Sequence, residues 1–304
     1  MRRAVLVSMI AAVVAADAGV ALAQSSKQDR TRIEELTGLK GTFVDTERVF
    51  KVTSPRTDVK VLVDGWAMPA FMGLTSWVSF GQTPSAKTMI MGDLVLLQDE
   101  VNPVMSELLG AGLEVTALHN HFFFDEPKVY FMHVAGEGTL DAVAQGVRKA
   151  FDKVKELRAA GPPKPGSGRP PLPETSAITG KTVSDVLGVE GQANQGMYKV
   201  VIGRKASAAC GCEVTKEMGV NTWAAFAGSD ERAVVDGDFA MLEAELQPVL
   251  KALRAAGIDI VAIHQHMAGE DPRVVFLHYW GVGHVQDLAR GLKAALDQTK
   301  PDVR

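Results

Sequence analysis

Between residues 36 and 300 the chain is written twice. ALHNHFFFDEPKVYFMH (117–133) returns as AIHQHMAGEDPRVVFLH (262–278), and GDLVLLQDEVNPVMSELLGAG (92–112) as GDFAMLEAELQPVLKALRAAG (237–257). LTSWVSF (74–80) is echoed by VNTWAAF (220–226), and LTGLKG (36–41) by VLGVEG (186–191). A period this long excludes a solenoid of short repeats, so the chain must fold as two similar domains or as two halves of one pseudo-symmetric unit. Between the copies lies GPPKPGSGRPPLPETSAITG (161–180), which holds six of the fourteen prolines and cannot pack as a helix or a central strand. The expected organisation is a first repeat over 24–160, a linker over 161–180 and a second repeat over 181–304.

The first residues, MRRAVLVSMIAAVVAADAGVALAQSS, have the pattern of an export signal. Arg2 and Arg3 precede an apolar stretch, and Ala21-Leu22-Ala23 fits a cleavage site, which predicts a signal peptide over 1–23 and a periplasmic or secreted product. No later segment approaches the ~20 apolar residues of a membrane span, so no stable span is expected after cleavage. With 46% hydrophobic and 22% charged residues the chain has ample material for a core. Its formal charge of −4, without a basic stripe, argues against nucleic acid as a partner.

Within each copy the hydrophobic period changes in a fixed order. TMIMGDLVLL (88–97) is strand-like. Val101, Val104, Met105 and Leu108 follow helical spacing, matched by Leu246, Val249, Leu250 and Leu253, with Gly112 and Gly257 as C-terminal caps. Two β-rich runs, EVTALHNH and KVYFMHVA, flank the turn Asp125-Glu126-Pro127, and Glu270-Asp271-Pro272 repeats that turn. Leu140, Val143, Val147, Phe151 and Val154 then form an amphipathic stripe, echoed by Val285, Leu288 and Leu292. The order β-α-β-β-α, with one or two strands ahead of it, predicts an α+β fold made of two tandem ferredoxin-like copies.

Six of the seven histidines belong to one arrangement. His119, His121 and His133 recur as His264, His266 and His278, each displaced by the same interval (264 − 119). A turn centred near Glu126 sets His119 opposite His133 and His121 opposite Phe131. Strand alternation then places all three imidazoles on one face. Directly paired Cβ atoms lie roughly 4.5–5.5 Å apart, close enough for three rings to converge on one ion at bonds of about 2.0–2.1 Å. The expected ligand is therefore zinc or another divalent transition metal. Copper is the weaker choice, resting only on Met68, Met72 and Met218 and on Cys210-Gly-Cys212, whose thiols are equally readable as a disulfide or as free. The competing reading makes each trio a metal-free cleft for a small molecule.

Glu100 and Glu245, at corresponding helix starts, are the candidate proton acceptors if the metal site is catalytic. Asp93 and Asp238, each after a glycine, are candidates for a fourth ligand. For all four acids helix capping is the competing explanation. Trp77 and Trp223, in matching strands, are read as core anchors. Gly136-Glu137-Gly138 and Gly281-Val282-Gly283 lack the full dinucleotide fingerprint. His284 has no counterpart, since Thr139 stands in its place.

GDLVLLQDEVNPVM, VTALHNH and YFMH, with TWAAFAGSD, DGDFAMLEAELQPVL, AIHQHM and VFLHYWGVG in the second copy, resemble the LppY/LpqO family, a bacterial group of unknown function named for mycobacterial lipoproteins. The resemblance covers roughly residues 30–300 and implies an exported protein, with no catalytic residue to carry over. Lipoprotein members need an acylated Cys at the cleavage site; none stands here, which favours a soluble product.

Overall fold

The computed structural model describes residues 26–162 and 171–300. The expected signal peptide and residues 163–170 of the expected linker lie outside them. The first repeat runs α1 (Lys27–Thr37), β1 (Gly41–Val44), β2 (Val49–Pro55), β3 (Leu62–Val63), β4 (Trp66–Ala67), β5 (Thr75–Gln82), β6 (Thr88–Leu97), α2 (Val101–Gly110), β7 (Glu114–His119), β8 (Asp125–Glu126), β9 (Val129–Gly138) and α3 (Leu140–Ala160). The second runs α4 (Gly180–Leu187), β10 (Gln192–Asn194), β11 (Met197–Gly203), β12 (Ala206–Ser207), β13 (Glu213–Val214), β14 (Asn221–Gly228), β15 (Ala233–Leu242), α5 (Leu246–Ala255), β16 (Asp259–His264), β17 (Val274–Gly283) and α6 (Val285–Leu296).

The expectation of two ferredoxin-like copies is overturned. A ferredoxin-like unit completes its own small sheet, whereas here twelve strands form one antiparallel sheet in the order β1-β2-β5-β6-β9-β7-β16-β17-β15-β14-β11-β10. Each copy contributes six strands, and the second set runs in mirrored order from the central pair β7 and β16. The two meet at Leu118 and Ile263. The local succession β-α-β-β-α is present in each half, and the α+β content stands, but neither half closes its sheet alone.

One face of this sheet is covered by helices. A single buried cluster extends from Ile33 on α1 through Val104, Met105 and Leu108 on α2 to Leu288 and Leu292 on α6, so the alternating residues of both halves share one core. Glycine in the left-handed conformation ends α2 and α5 as expected: Gly112 has φ 78° and Gly257 φ 71°, and Leu113 N–H and Ile258 N–H each donate back into the last helical turn.

The seam between halves is pinned by two side-chain amides related by the duplication. Asn102 on α2 accepts from Ile260 N–H at 2.8 Å and donates to Ile260 C=O at 3.1 Å. Gln247 on α5 accepts from Val115 N–H at 3.1 Å and donates to Val115 C=O at 2.9 Å. Val115 and Ile260 each border a β-bulge, where the ladder leaves backbone groups unpaired. Each amide thus completes the backbone of a histidine-bearing strand in the other copy.

Among the described residues the opposite sheet face carries no α-helix, only the short 3-10 turns Ala70–Met72 and Lys216–Met218. There, the excursions 56–74 and 204–220 fold over small satellite cores, Val61, Leu74, Val95, Leu97, Val129 and Phe131 in the first half and Val214, Val220, Ala240, Val274 and Phe276 in the second. Each excursion is closed at its base by a backbone bond, Arg56 N–H to Leu74 C=O at 2.9 Å and Arg204 N–H to Val220 C=O at 2.8 Å.

Candidate metal centre

The histidines gather on this face free of α-helices, at the rim of each satellite core. Their register differs from the expected one. His119 pairs with Phe131 and Ala117 with His133, and likewise His264 with Phe276 and Ala262 with His278. The shift is two residues because the acid-acid-Pro segment is part of a longer loop, in which Asp125 and Glu126 pair with β3. An even shift preserves the face, so the rings still converge. In the first copy His119 lies 5.1 Å from both His121 and His133, centroid to centroid. In the second, His264 lies 5.1 Å from His266 and 4.7 Å from His278. His121 and His266 stand just past their strand ends and stack on Phe131 and Phe276 at 3.3 and 3.6 Å.

An aspartate completes each group. Asp93 is the cross-strand partner of His133 and Asp238 that of His278. Both lie in mid-strand, so the helix-capping explanation of these two acids is incorrect. In the second copy the ligand atoms of Asp238, His264 and His266 all lie within 4.8 Å of one another, the one such cluster among the described residues. His266 Nε2 stands 3.1 Å from His264 Nε2 and 3.3 Å from Asp238 Oδ2. Ligand atoms in a tetrahedral shell with bonds of ~2.0–2.1 Å stand roughly 3.3–3.4 Å apart, so both separations fit edges of such a shell.

Proton placement sharpens the fit. His266 Nδ1 lies 3.3 Å from Gly219 O and His278 Nδ1 lies 3.3 Å from Gly237 O. A carbonyl only accepts, so each ring carries its proton on Nδ1 and turns a bare Nε2 inward when neutral. This is the outer hydrogen bond that metal-ligating imidazoles usually make. His266 Nε2 then faces the carboxylate oxygen of Asp238, acceptor against acceptor, and only a cation or a proton between them relieves the repulsion. Asp238 Oδ1 and His264 Nδ1 are buried without a hydrogen-bond partner. Burial, followed by the charges of His278 and His266, pushes the His264 imidazole down to about 4. Burial also holds the Asp238 carboxyl above its ordinary range, against the pull of His278 and His266. In the first copy burial, then His119, lowers the pKa of His121.

Glu100 and Glu245 are not brought to this site. Glu100 is fully buried and accepts hydrogen bonds from both terminal nitrogens of Arg56, at 2.6 and 3.0 Å, and from Leu97 N–H at 2.8 Å, with the Arg158 guanidinium as a second ion-pair partner at 2.9 Å. Glu245 accepts from Arg204 at 2.7 Å, Leu242 N–H at 2.8 Å and Lys300 N–H at 2.7 Å. The arginine and its hydrogen bonds hold the Glu245 carboxylate below its ordinary pKa, against burial. With their lone pairs engaged, both carboxylates fasten an excursion to the following helix, and neither is available as a base.

Trp77 and Trp223 are not core anchors. Both are half-buried on the face free of α-helices, directly opposite Asp93 and Asp238, and each carries a lysine ammonium, Lys51 or Lys199, 4.2 Å from the ring centre. These lysines escaped the sequence reading, although each stands in a duplicated strand ahead of its tryptophan. Cys210 and Cys212 are bonded to each other, and Met72 and Met218 are 56% and 67% exposed; the candidate cluster of Asp238, His264 and His266 itself offers nitrogen and oxygen donors. It opens into a cleft of about 520 Å³ that Asp238 and His266 line together with Trp223, Lys199 and Lys216.

Residues 31–153 and 181–298 each match the profile of a family described as Domain of Unknown Function (DUF1259). No curated protein matches the chain. Among solved structures the chain is similar to a trimeric bacterial microcompartment shell protein, PduB, with 11% identity over 84% of this chain and 89% of that one and a TM-score of 0.20. A score that low bears on neither fold nor function.

Proposed function

The chain belongs to that family, and we propose that it is an exported transition-metal-binding protein whose working site is Asp238, His264 and His266 of the second repeat, with zinc as the ion. The observation that carries this reading is the convergence of His266 Nε2 and Asp238 Oδ2 at 3.3 Å, two acceptors that a dication would bridge. Neutral imidazole and carboxylate together suit zinc, with iron(II) and nickel as competitors. His278, on the same face, supplies a further nitrogen. The signal-like first residues and the resemblance to the LppY/LpqO group favour a periplasmic or secreted location, with 24–160 and 181–304 as the units of duplication. His119, His121 and His133 form a weaker first-repeat site, in which ligand atoms have to close in before they share an ion.

Titration of metal-free protein with zinc tests the assignment. One tight equivalent is expected, lost in Asp238→Asn and in His266→Ala while circular dichroism stays unchanged. A tight equivalent that survives both substitutions would place the ion elsewhere. A second reading, a metal-dependent enzyme that activates water, is favoured by the opening of the cluster into a cleft rather than a closed four-ligand shell.

A further inference from the structure

The cleft beside Asp238 has a chemical asymmetry of its own. One end is the ligand cluster; the other is Lys199, whose ammonium rests on the Trp223 ring at 4.2 Å. An aromatic face attracts an ammonium without neutralising it, and Lys199 makes no ion pair among the described residues. Of the other charges at the mouth, Lys216 pairs with Glu217 at 3.4 Å, and Glu190 keeps its charge, accepting from the neutral Ser184 hydroxyl at 3.4 Å. The first copy repeats the row, with Lys51 over Trp77 and Trp77 opposite Asp93. Such a lysine recurs in both copies beside the same tryptophan, aspartate and histidine cluster, so the cation belongs to the architecture of the site.

The spacing defines what fits. The ammonium sits above β14, while the ligand cluster is rooted on β15, one strand away, and on β16 and the loop beyond it, three strands away, so an ion held between Asp238 and His264 lies about two strand spacings from the ammonium, roughly 10 Å. The lining between them is the Trp223 ring. Asp238, 5% exposed, lines the cleft and keeps one buried oxygen without a hydrogen-bond partner.

We propose that the second-repeat cleft binds a short organic dicarboxylate, one carboxylate on Lys199 and the other on the metal, with its carbon chain along Trp223. This inference rests on the metal reading above. Titration of zinc-loaded protein with succinate, followed by calorimetry and tryptophan fluorescence, tests it. Saturable binding is expected, weakened at least tenfold by Lys199→Met with zinc stoichiometry unchanged, and within twofold of wild type in Lys51→Met. Both lysines lie outside the helix-covered core, and circular dichroism checks that the variants fold. Zinc uptake without saturable succinate binding, or equal losses in the two lysine variants, overturns the dicarboxylate site alone. Failure of the wild-type protein to take up zinc overturns the metal reading and this inference with it.

Discussion

Replacing Asn102 with Ala removes one of the two amides that pin the seam. Its side chain makes two hydrogen bonds to Ile260, at 2.8 and 3.1 Å, and Ile260 is 1% exposed. A typical hydrogen bond contributes about 0.5–1.5 kcal/mol net, but stranding a buried backbone group costs roughly 1–3 kcal/mol. With both Ile260 groups affected and some relief from water entering at the bulge, the expected loss is about 2–4 kcal/mol. Gln247→Ala should cost a similar amount by its symmetrical bonds to Val115, which is 0% exposed. The double variant should lose less than the sum, because a seam already opened gives the second amide less to hold. Urea unfolding followed by far-ultraviolet circular dichroism measures all three. A loss below about 0.5 kcal/mol in Asn102→Ala, on the scale of an ordinary surface substitution, would refute the claim that these amides join the halves. Full additivity would refute their cooperation.

Arg204→Met should destabilise the fold by about 3–5 kcal/mol, the usual result of leaving one member of a buried ion pair alone, since Glu245 is 4% exposed; unfolding curves would show this, and zinc stoichiometry should not change. Gly237→Ala should cost at least about 1–3 kcal/mol by overpacking, because an added Cβ would stand 2.1 Å from the Tyr279 hydroxyl and 2.3 Å from Trp223 O; a thermal midpoint equal to wild type would contradict this. For metal-free protein, the folded state holds His264 at about 4 against roughly 6.5 when unfolded. The unfolded chain therefore binds more protons between these values, and the stability tied to the neutral ring is present above about 6.5 and lost as pH falls toward 4. Urea midpoints at pH 7 and pH 4.5 should diverge more in the wild type than in His264→Gln; equal divergence would show that His264 is not the titrating group.

The shared face of the histidines was legible because it depends on parity alone. The expected pairing of His119 with His133 was two residues out, and an even error leaves every side chain on its proper side. Asp238 was legible too, as a carboxylate inside the apolar strand AVVDGDFAML, but nearness to a helix suggested capping instead. Glu100 and Glu245 were misread for a related reason. Their spacing fixed them at helix starts, while the arginines that occupy them, Arg56 and Arg204, stand some forty residues earlier in sequence, at |i−j| of 44 and 41. The continuous sheet was not legible. It depends on whether β7 and β16 remain edge strands or meet, and that is set by Asn102 and Gln247, two amides unremarkable within their own helices.

Diffraction from zinc-soaked crystals, recorded on both sides of the zinc absorption edge, tests the central claim most directly. The account predicts an anomalous peak bonded to Asp238 Oδ2, His264 Nε2 and His266 Nε2 at about 2.0–2.2 Å, with any first-repeat peak weaker. A crystal saturated with zinc whose strongest peak lies away from these three atoms, with His266 donating a proton to Asp238 instead, would contradict it.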